Sequence, residues 1–179
     1  MDQVIVILIL VLLIALLLPV LARALRRYPK WLTVIKYVLL ALYIAAYLNE
    51  TLLFRTVKNE YLIKTEWFWS YRKALAMPDG LMSLFNGTVR IRRTDIWESI
   101  LLNILLYVPM GYLLPFVFEK LKGWHVLLIA FFSSVLTEAA QLVFRLGWFE
   151  FDDIINNILG AVIGLMMFLS IIRRSVKKK

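Results

Sequence analysis

Several polar and ionisable side chains lie within two segments of this chain that are otherwise apolar enough to span a lipid bilayer. The two segments fall between Ser133 and Gly164. A charged group at the centre of a spanning helix costs about 2.5 to 3.5 kcal/mol on insertion scales, so such groups usually face the interior of a helix bundle and mark a working site. The sequence therefore predicts a ligand-binding site here, with the candidates Glu138, Gln141, Arg145, Asp152, Asp153 and Asn157.

The spacing of these residues places them on one face of each helix. Steps of four, three and four residues put side chains on a single stripe. The same steps occur twice, in Ser134, Glu138, Gln141 and Arg145 and again in Asp153, Asn157, Gly160 and Gly164. The two glycines form a GxxxG pair that lets a second helix backbone come close. In a purely structural alternative, the polar groups only pair with one another and lock the helices together. We favour a functional site because so many costly residues fall within a short stretch.

Hydrophobic residues make up 62% of the 179 residues, and they come in long blocks. About 20 apolar residues suffice to cross a hydrocarbon core about 30 Å thick. The sequence therefore predicts an all-α, polytopic membrane helix bundle with about five transmembrane helices. It divides into two N-terminal helices (1–54), an extracytoplasmic interfacial loop (55–95) and a three-helix core with a basic tail (96–179). The predicted spans are Val4 to Leu21, Leu32 to Phe54, Ile96 to Phe118, Trp124 to Leu146 and Ile154 to Ile172.

The distribution of basic residues predicts the orientation of the chain. Basic clusters follow the first segment, between Arg23 and Lys30, and form the tail from Arg173 to Lys179. Because cytoplasmic loops are rich in Lys and Arg, we expect the N-terminus outside and the C-terminus in the cytoplasm. No positive side chain precedes the first apolar segment as in a cleaved signal peptide, so it is expected to stay as a helix. Topology and anionic lipid headgroups account for the formal net charge of +9 without a nucleic-acid partner.

The residue types present limit the chemistry that the chain can perform. Cys is absent, so disulfides, thiolate catalysis and cysteine-based metal sites are excluded. The single histidine, His125, stands beside Trp124 at a helix start and is predicted to be an interfacial residue rather than a ligand or a base. We therefore predict no cofactor and no dedicated metal site. One alternative stays open, in which Glu150, Asp152 and Asp153 bind a divalent cation through oxygen ligands.

The long loop from Arg55 to Asp95 contains its own structural signals. Between Tyr61 and Leu75, aromatic residues stand beside basic ones, and this mix is typical of a short amphipathic helix at the headgroup level. Asn86-Gly87 between apolar neighbours is a hairpin signal over Ser83 to Arg92. We expect either an interfacial anchor that orients the helices or a cap over the polar pocket that meets anionic ligands.

Depth along the helices predicts where the polar residues converge. At 1.5 Å per residue, Glu138 lies about 10 Å deeper than Arg145, and Asn157 lies about 6 Å below Asp153. The third predicted span enters from the same side, so that Asn103 and Tyr107 reach comparable depths. Residues from three helices therefore meet in the outer half of the membrane, and Asn103 and Tyr107 join the candidate ligand-binding residues.

Three motifs in this region resemble the signature of the VanZ family of small bacterial membrane proteins, which is named for teicoplanin resistance. The matching segments are Asn103-Ile-Leu-Leu-Tyr-Val-Pro109-Met-Gly111, Ser134-Val-Leu-Thr-Glu138-Ala-Ala-Gln141, and Arg145 followed by Glu150-Phe-Asp152-Asp153 and Asn157-Ile-Leu-Gly160. Glu150 stands where the family usually has Asp, and no clear match to its NLxPF segment precedes the third span. The resemblance implies a multi-pass protein of the bacterial cytoplasmic membrane.

Two functions follow from these observations. In the first, the chain binds an amphiphile or a lipid-linked envelope component at the outer-leaflet pocket and contributes to teicoplanin-like antibiotic tolerance, as the resemblance implies. Arg145 would then meet a phosphate or carboxylate. In the second, the chain is a membrane enzyme that modifies a lipid or cell-wall precursor with the acidic and Arg cluster, but its catalytic residues are unknown and no familiar nucleophile or phosphate motif is present. Membrane lipids are the expected partners, and homo-oligomerisation is left open.

Overall fold

The computed structural model of the protein describes residues 9, 13, 17, 29–53, 55–57, 63–77, 81–84 and 89–176. It is mostly helical, as predicted. The described helices are α1 (Pro29–Leu48, continued by a π-helical turn, Asn49–Leu53), α2 (Trp69–Ala76), α3 (Arg93–Val117), α4 (Gly123–Val143) and α5 (Phe151–Val176). The strands are β1 (Ile63–Lys64), β2 (Leu81–Leu84), β3 (Val89–Arg92) and β4 (Phe149–Glu150).

Within the described part of the chain, four helices are long and apolar enough to cross a membrane by length and composition. They are Lys30–Leu53, Arg93–Val117, Gly123–Val143 and Phe151–Ser170. These correspond to the second to fifth predicted spans, because long apolar blocks leave few alternatives to a spanning helix. The first predicted span, Val4 to Leu21, lies outside the described residues apart from three positions.

Helix α3 lies at the centre of the bundle, where it contacts α1, α2, α4 and α5. Its contact with α5 is the closest because glycines remove the side chains between the two backbones. A Cβ atom on Gly160 would lie 2.1 Å from the carbonyl oxygen of Ile104, and one on Gly164 would lie 2.0 Å from that of Val108. The GxxxG prediction of a close helix contact is thus confirmed. Gly111 on α3 makes the reciprocal approach to Ala161.

Apolar and tyrosine side chains fill the space between the four long helices. This core contains Leu39, Tyr43, Leu106, Tyr107, Leu113, Ala130 and Ala161. Large apolar residues cover the outer faces of the helices, among them Leu42, Phe132, Leu136 and Met166, which are 49%, 58%, 68% and 62% exposed. Outward-facing apolar side chains are what a lipid environment requires of a helix bundle.

The two strand pairs flank the bundle. Strands β2 and β3 pair antiparallel, with Leu81 opposite Arg92 and Leu84 opposite Val89, which confirms the predicted hairpin. Strands β1 and β4 pair parallel, with Ile63 beside Phe149. The second pair joins the long loop to the turn between α4 and α5. We call the end of the bundle at which α4 ends and α5 begins the loop end.

Candidate functional site

Three carboxylates, Glu138, Glu150 and Asp153, form an acidic cluster at the loop end. The Glu138 side chain belongs to α4 and is only 2% exposed. Its Oε2 accepts a hydrogen bond of 3.0 Å from the backbone N–H of Glu150. Asp153, in the first turn of α5, lies close enough to Glu138 and Glu150 for all three charges to act on one another. Burial and like charge together make this cluster expensive to hold in the ionised state.

Arg55, which follows the π-helical turn after α1, is a cation that acts on this cluster. It interacts electrostatically with both Glu138 and Asp153. Its Nη1 donates to the Gln141 side-chain oxygen over 3.3 Å, and its Nε donates to the Glu50 carbonyl over 3.2 Å. Arg55 was not among the predicted site residues. Its signal is a run of residues at steps of four, Tyr43, Tyr47, Thr51 and Arg55, all of which face the site or the core beneath it.

Arg145 lies in a different environment from the one that the helical stripe predicted. Helix α4 ends at Val143, whereas the predicted span continued to Leu146. The backbone N–H groups of Arg145 and Leu146 donate to the carbonyls of Leu142 and Gln141, which is the Schellman pattern of a helix end. Arg145 therefore adopts the left-handed conformation, with φ of 57°, and its side chain is exposed. The stripe stops before reaching it.

Gln141 connects α4 to the end of α1 at the loop end. Its side chain is 3% exposed. While its oxygen accepts from Arg55, its Nε2 donates to the Thr51 carbonyl over 3.1 Å. Gly147 provides the room for this arrangement, since a Cβ there would lie 2.9 Å from the Gln141 oxygen and 3.1 Å from Arg55 Nη1. The role of Gln141 in this structure is to position Arg55.

Asp152 turns away from the acidic cluster and caps helix α2. Its carboxylate accepts hydrogen bonds from the backbone N–H of Phe68 at 2.6 Å, from that of Ser70 at 2.7 Å and from the Ser70 hydroxyl at 2.6 Å. The first turn of a helix has N–H groups without intrahelical partners, and here a residue from α5 satisfies them. Phe68, at the N-cap position, has a φ of 57° and supplies no side-chain cap of its own. Asp152, predicted as a ligand-binding residue, thus has its acceptor atoms occupied by the long loop.

Helix α2 also packs onto the start of α3 and α5. Ala74 and Met77 are buried against Ile96 and Ile100. The Tyr71 hydroxyl donates to the Asn156 side-chain oxygen. Burial, and then the charges of Asp152 and Asp153, raise the pKa of Tyr71, so that it keeps the proton that it donates. The long loop therefore contains the predicted amphipathic helix, and that helix is fastened to the bundle beside the acidic cluster.

Three buried amide atoms near the acidic cluster have no hydrogen-bond partner among the described residues: Asn103 Nδ2, Asn156 Nδ2 and Asn157 Oδ1. The Asn103 amide lies beside the Asp153 carboxylate and interacts with it, but its Nδ2 does not reach full hydrogen-bond geometry. Asn157 donates to the Ser134 hydroxyl over 2.8 Å, and it is 3% exposed. Buried polar atoms in proteins are nearly always satisfied, so these atoms indicate a place for a further polar group.

Tyr107 lies deeper in the bundle and takes part in a hydroxyl network. The Tyr47 hydroxyl lies 2.8 Å from that of Tyr107 and also bonds to Thr137. These residues come from α1, α3 and α4, and all are buried. Since the hydroxyls satisfy one another, Tyr107 holds the helices together beneath the site. Tyr47 and Thr137 were not among the predicted residues.

The structure also bears on the divalent-cation alternative. In the ranges that the structure describes, no group of three His, Cys, Asp or Glu side chains has the geometry of a metal site. Of the three acids considered from the sequence, Asp152 accepts hydrogen bonds from the first turn of α2, while Glu150 and Asp153 belong to the acidic cluster. The carboxylates therefore do not converge on one point.

Comparison with protein-family models matches this chain to the VanZ/LLP1 model over residues 37–173. No curated protein and no solved structure gives a match. The matched range includes the four long helices almost entirely, the whole acidic cluster and Arg55, and it confirms the resemblance inferred from the motifs. The chain is a membrane protein that belongs to the VanZ/LLP1 family.

Proposed function

We propose that the acidic cluster and the amides beside it bind the polar head of an amphiphile or a lipid-linked envelope component that reaches the site from the outer leaflet. The observation that carries this proposal is the buried Asn157 side-chain oxygen, which has no hydrogen-bond partner in the described part of the chain and lies one helical turn from Asp153. In hydrocarbon an unsatisfied polar atom costs several kcal/mol. Binding of a polar ligand that supplies the missing hydrogen bond is therefore favourable at a site of this kind.

The physiological consequence that we propose is tolerance of lipoglycopeptide antibiotics such as teicoplanin. An amphiphile held at the loop end would have its apolar part against the exposed apolar faces of the bundle, where lipid tails lie. Such a protein can bind an envelope component without chemical turnover. The VanZ/LLP1 membership supports the envelope setting of this proposal.

A membrane enzyme that modifies a lipid or cell-wall precursor is the second candidate function. The observation that favours it is the approach of Glu138 and Asp153 from two different helices. Two carboxylates in a buried site can act as general acid and general base. Turnover of a radiolabelled lipid-linked precursor by the purified protein, lost in Glu138→Gln, would replace the binding proposal with this one.

Growth of a susceptible Gram-positive host on teicoplanin tests the proposed function. The host expresses the wild type, Glu138→Gln or Asp153→Asn, and the amount of each protein in the membrane is measured in parallel. Both substitutions nearly preserve shape, and we expect both variants to accumulate but to give no protection. Glu119→Gln is the matched control, because Glu119 lies at the opposite end of the bundle, where it pairs with Lys36 at 2.8 Å.

Three results would contradict the proposal. If Glu138→Gln and Asp153→Asn accumulate and still protect the host, the acidic cluster is not the working site. If both vanish from the membrane, the polar residues serve the structural role, because a broken buried charge pair costs about 3 to 5 kcal/mol. If the wild type itself gives no protection, teicoplanin tolerance is not the role of this chain.

A further inference from the structure

Three amide side chains share one level between α3 and α5. Gly160 packs against α3, where its Cβ would lie 3.1 Å from the Cβ of Tyr107. Asn156 and Asn157 lie one helical turn before Gly160 on α5, and Asn103 lies one turn before Tyr107 on α3. Because the two helices run parallel, one turn back along each of them leads to the same depth. We call Asn103, Asn156 and Asn157 the amide cluster.

The amide cluster lacks hydrogen bonds of both kinds. Asn156 and Asn157 are 0% and 3% exposed. Within the described ranges, Asn157 Oδ1 is an acceptor without a donor, and Asn156 Nδ2 is a donor without an acceptor. The other polar atom of each amide is occupied, since Asn156 Oδ1 accepts from Tyr71 and Asn157 Nδ2 donates to Ser134. Asn103 Nδ2 is a second buried donor without a full hydrogen bond. A group that completes the cluster must therefore both donate and accept.

This requirement separates the common classes of head group. An ammonium only donates, and an ionised phosphate mainly accepts, whereas a hydroxyl does both. The carboxyls of Glu138 and Asp153 fit the same choice, because a hydroxyl donates to an ionised carboxylate and accepts from a protonated carboxyl. An uncharged head group also avoids the cost of moving a charge into a buried site.

We propose that the head group bound at this site is uncharged and presents hydroxyl groups, as a sugar or a glycerol unit does. One hydroxyl donates to Asn157 Oδ1 and accepts from an Nδ2 group of the amide cluster, and neighbouring hydroxyls meet the carboxyls of Glu138 and Asp153. This inference rests on the proposed function and names the chemical class of its ligand. It differs from the expectation drawn from the sequence, in which an arginine meets a phosphate or a carboxylate.

The experiment measures binding to the full chain in phosphatidylcholine nanodiscs by isothermal titration calorimetry, with empty nanodiscs as the blank. Four probes share an octyl tail and are used below their micellar concentrations: octyl glucoside, its fully O-methylated form, octylammonium and octyl phosphate. O-Methylation keeps the oxygen acceptors and removes the donors, and a site that hydrogen-bonds a hydroxyl rejects an analogue without it. We expect saturable binding of octyl glucoside, at least about tenfold tighter than that of the other three.

Two substitutions test the amide cluster itself. Asn156→Leu and Asn157→Leu keep the approximate size of the side chain and remove its hydrogen-bonding groups, so each should weaken octyl glucoside binding by about tenfold or more. Ser170→Ala is the matched control on the same helix, because the Ser170 hydroxyl bonds only to the Met166 carbonyl among the described residues, far from the loop end, and binding should be unchanged. Melting temperatures are measured in parallel. An amide that serves only the fold would lower the melting temperature and leave the affinity of the folded protein unchanged.

The possible results separate this inference from the proposed function. If octylammonium, octyl phosphate or the O-methylated probe binds as tightly as octyl glucoside, the hydroxyl head group is wrong but amphiphile binding stands. If methyl glucoside, which has no tail, binds as tightly as octyl glucoside, the ligand is a free sugar and the amphiphile is wrong. Saturable binding of no probe overturns both. Unchanged affinity in the folded Asn156 and Asn157 variants overturns the role of the amide cluster. The preference of the wild type among the probes decides the head group even if a variant does not fold.

Discussion

Asp152 and Asp153 are adjacent in sequence but are expected to respond oppositely to the same substitution. Asp152 caps α2 with three hydrogen bonds of 2.6 to 2.7 Å, whereas Asp153 belongs to the acidic cluster. Asp→Asn keeps the shape and removes the charge at either position. We expect Asp152→Asn to release the segment 63–77 from the bundle and Asp153→Asn to leave that segment in place.

The size of the effect at Asp152 follows from its contacts. A hydrogen bond to a charged group contributes about 1.5 to 3 kcal/mol, and loss of a helix cap costs about 0.5 to 2 kcal/mol. An amide at Asp152 keeps one acceptor oxygen and turns an NH2 group toward the N–H donors of α2. The net loss is therefore about 2 to 4 kcal/mol in the docking of α2, which corresponds to a population of undocked segment roughly 30 to 1000 times larger.

A single cysteine measures this opening. The chain has no native Cys. Ala74 in α2 is 0% exposed and packs on α3, so Ala74→Cys is labelled only when the segment opens. When opening and closing are faster than labelling, the rate follows the open population. On the Ala74→Cys background, Asp152→Asn should raise the labelling rate roughly 30- to 1000-fold, whereas Asp153→Asn should change it by about threefold at most. Equal rates in the two double variants would refute the division of roles between the two acids.

Three further predictions concern packing and topology. Gly160→Leu should lower the free energy of unfolding in detergent by about 3 kcal/mol or more, because its Cβ meets a backbone carbonyl. Gly123→Ala is the control, since a Cβ there faces a flexible leucine side chain, and this variant should melt within a few degrees of wild type. Tyr47→Phe should lower it by about 1 to 3 kcal/mol through two lost hydroxyl contacts, and an unchanged melting temperature would contradict the network. An impermeant thiol reagent on intact cells should label Asn86→Cys but not Ser175→Cys; the reverse pattern would invert the orientation.

The helices could be predicted from the sequence, whereas their ends could not. Blocks of apolar residues fix where α1, α3, α4 and α5 lie, and the GxxxG spacing fixes the face of α5 that packs on α3. The end of α4 depends on two backbone hydrogen bonds around Arg145, for which no glycine signal is present. A difference of three residues at this end was enough to remove Arg145 from the stripe.

The roles of the acids depended on contacts between distant parts of the chain. Both Asp152 and Asp153 sit in the first turn of α5, and nothing in the local sequence tells them apart. Phe68 and Ser70, more than eighty residues earlier in the chain, donate hydrogen bonds to Asp152. Only this long-range contact distinguishes Asp152, which caps α2, from Asp153, which belongs to the acidic cluster. Arg55 was missed although it continues the four-residue steps of Tyr47 and Thr51, because the predicted span ended at Phe54 and Arg55 was assigned to the long loop.

The long loop contacts the residues that hold the acidic cluster in place. Lys64 in β1 pairs with Glu150 in β4, and the backbone N–H of Glu150 donates to Glu138. Trp67 packs on Phe151 with their ring centroids 4.5 Å apart, beside the capping contacts of Asp152. Contacts with the long loop and with helix α4 therefore both hold the turn between α4 and α5 in place. Because the capping carboxylate and the first residues of α5 move together, the docking of α2 also fixes the backbone from which Asp153 projects. Loss of that docking is thus expected to weaken the ligand binding that we propose for this site, even when every residue of the acidic cluster is intact.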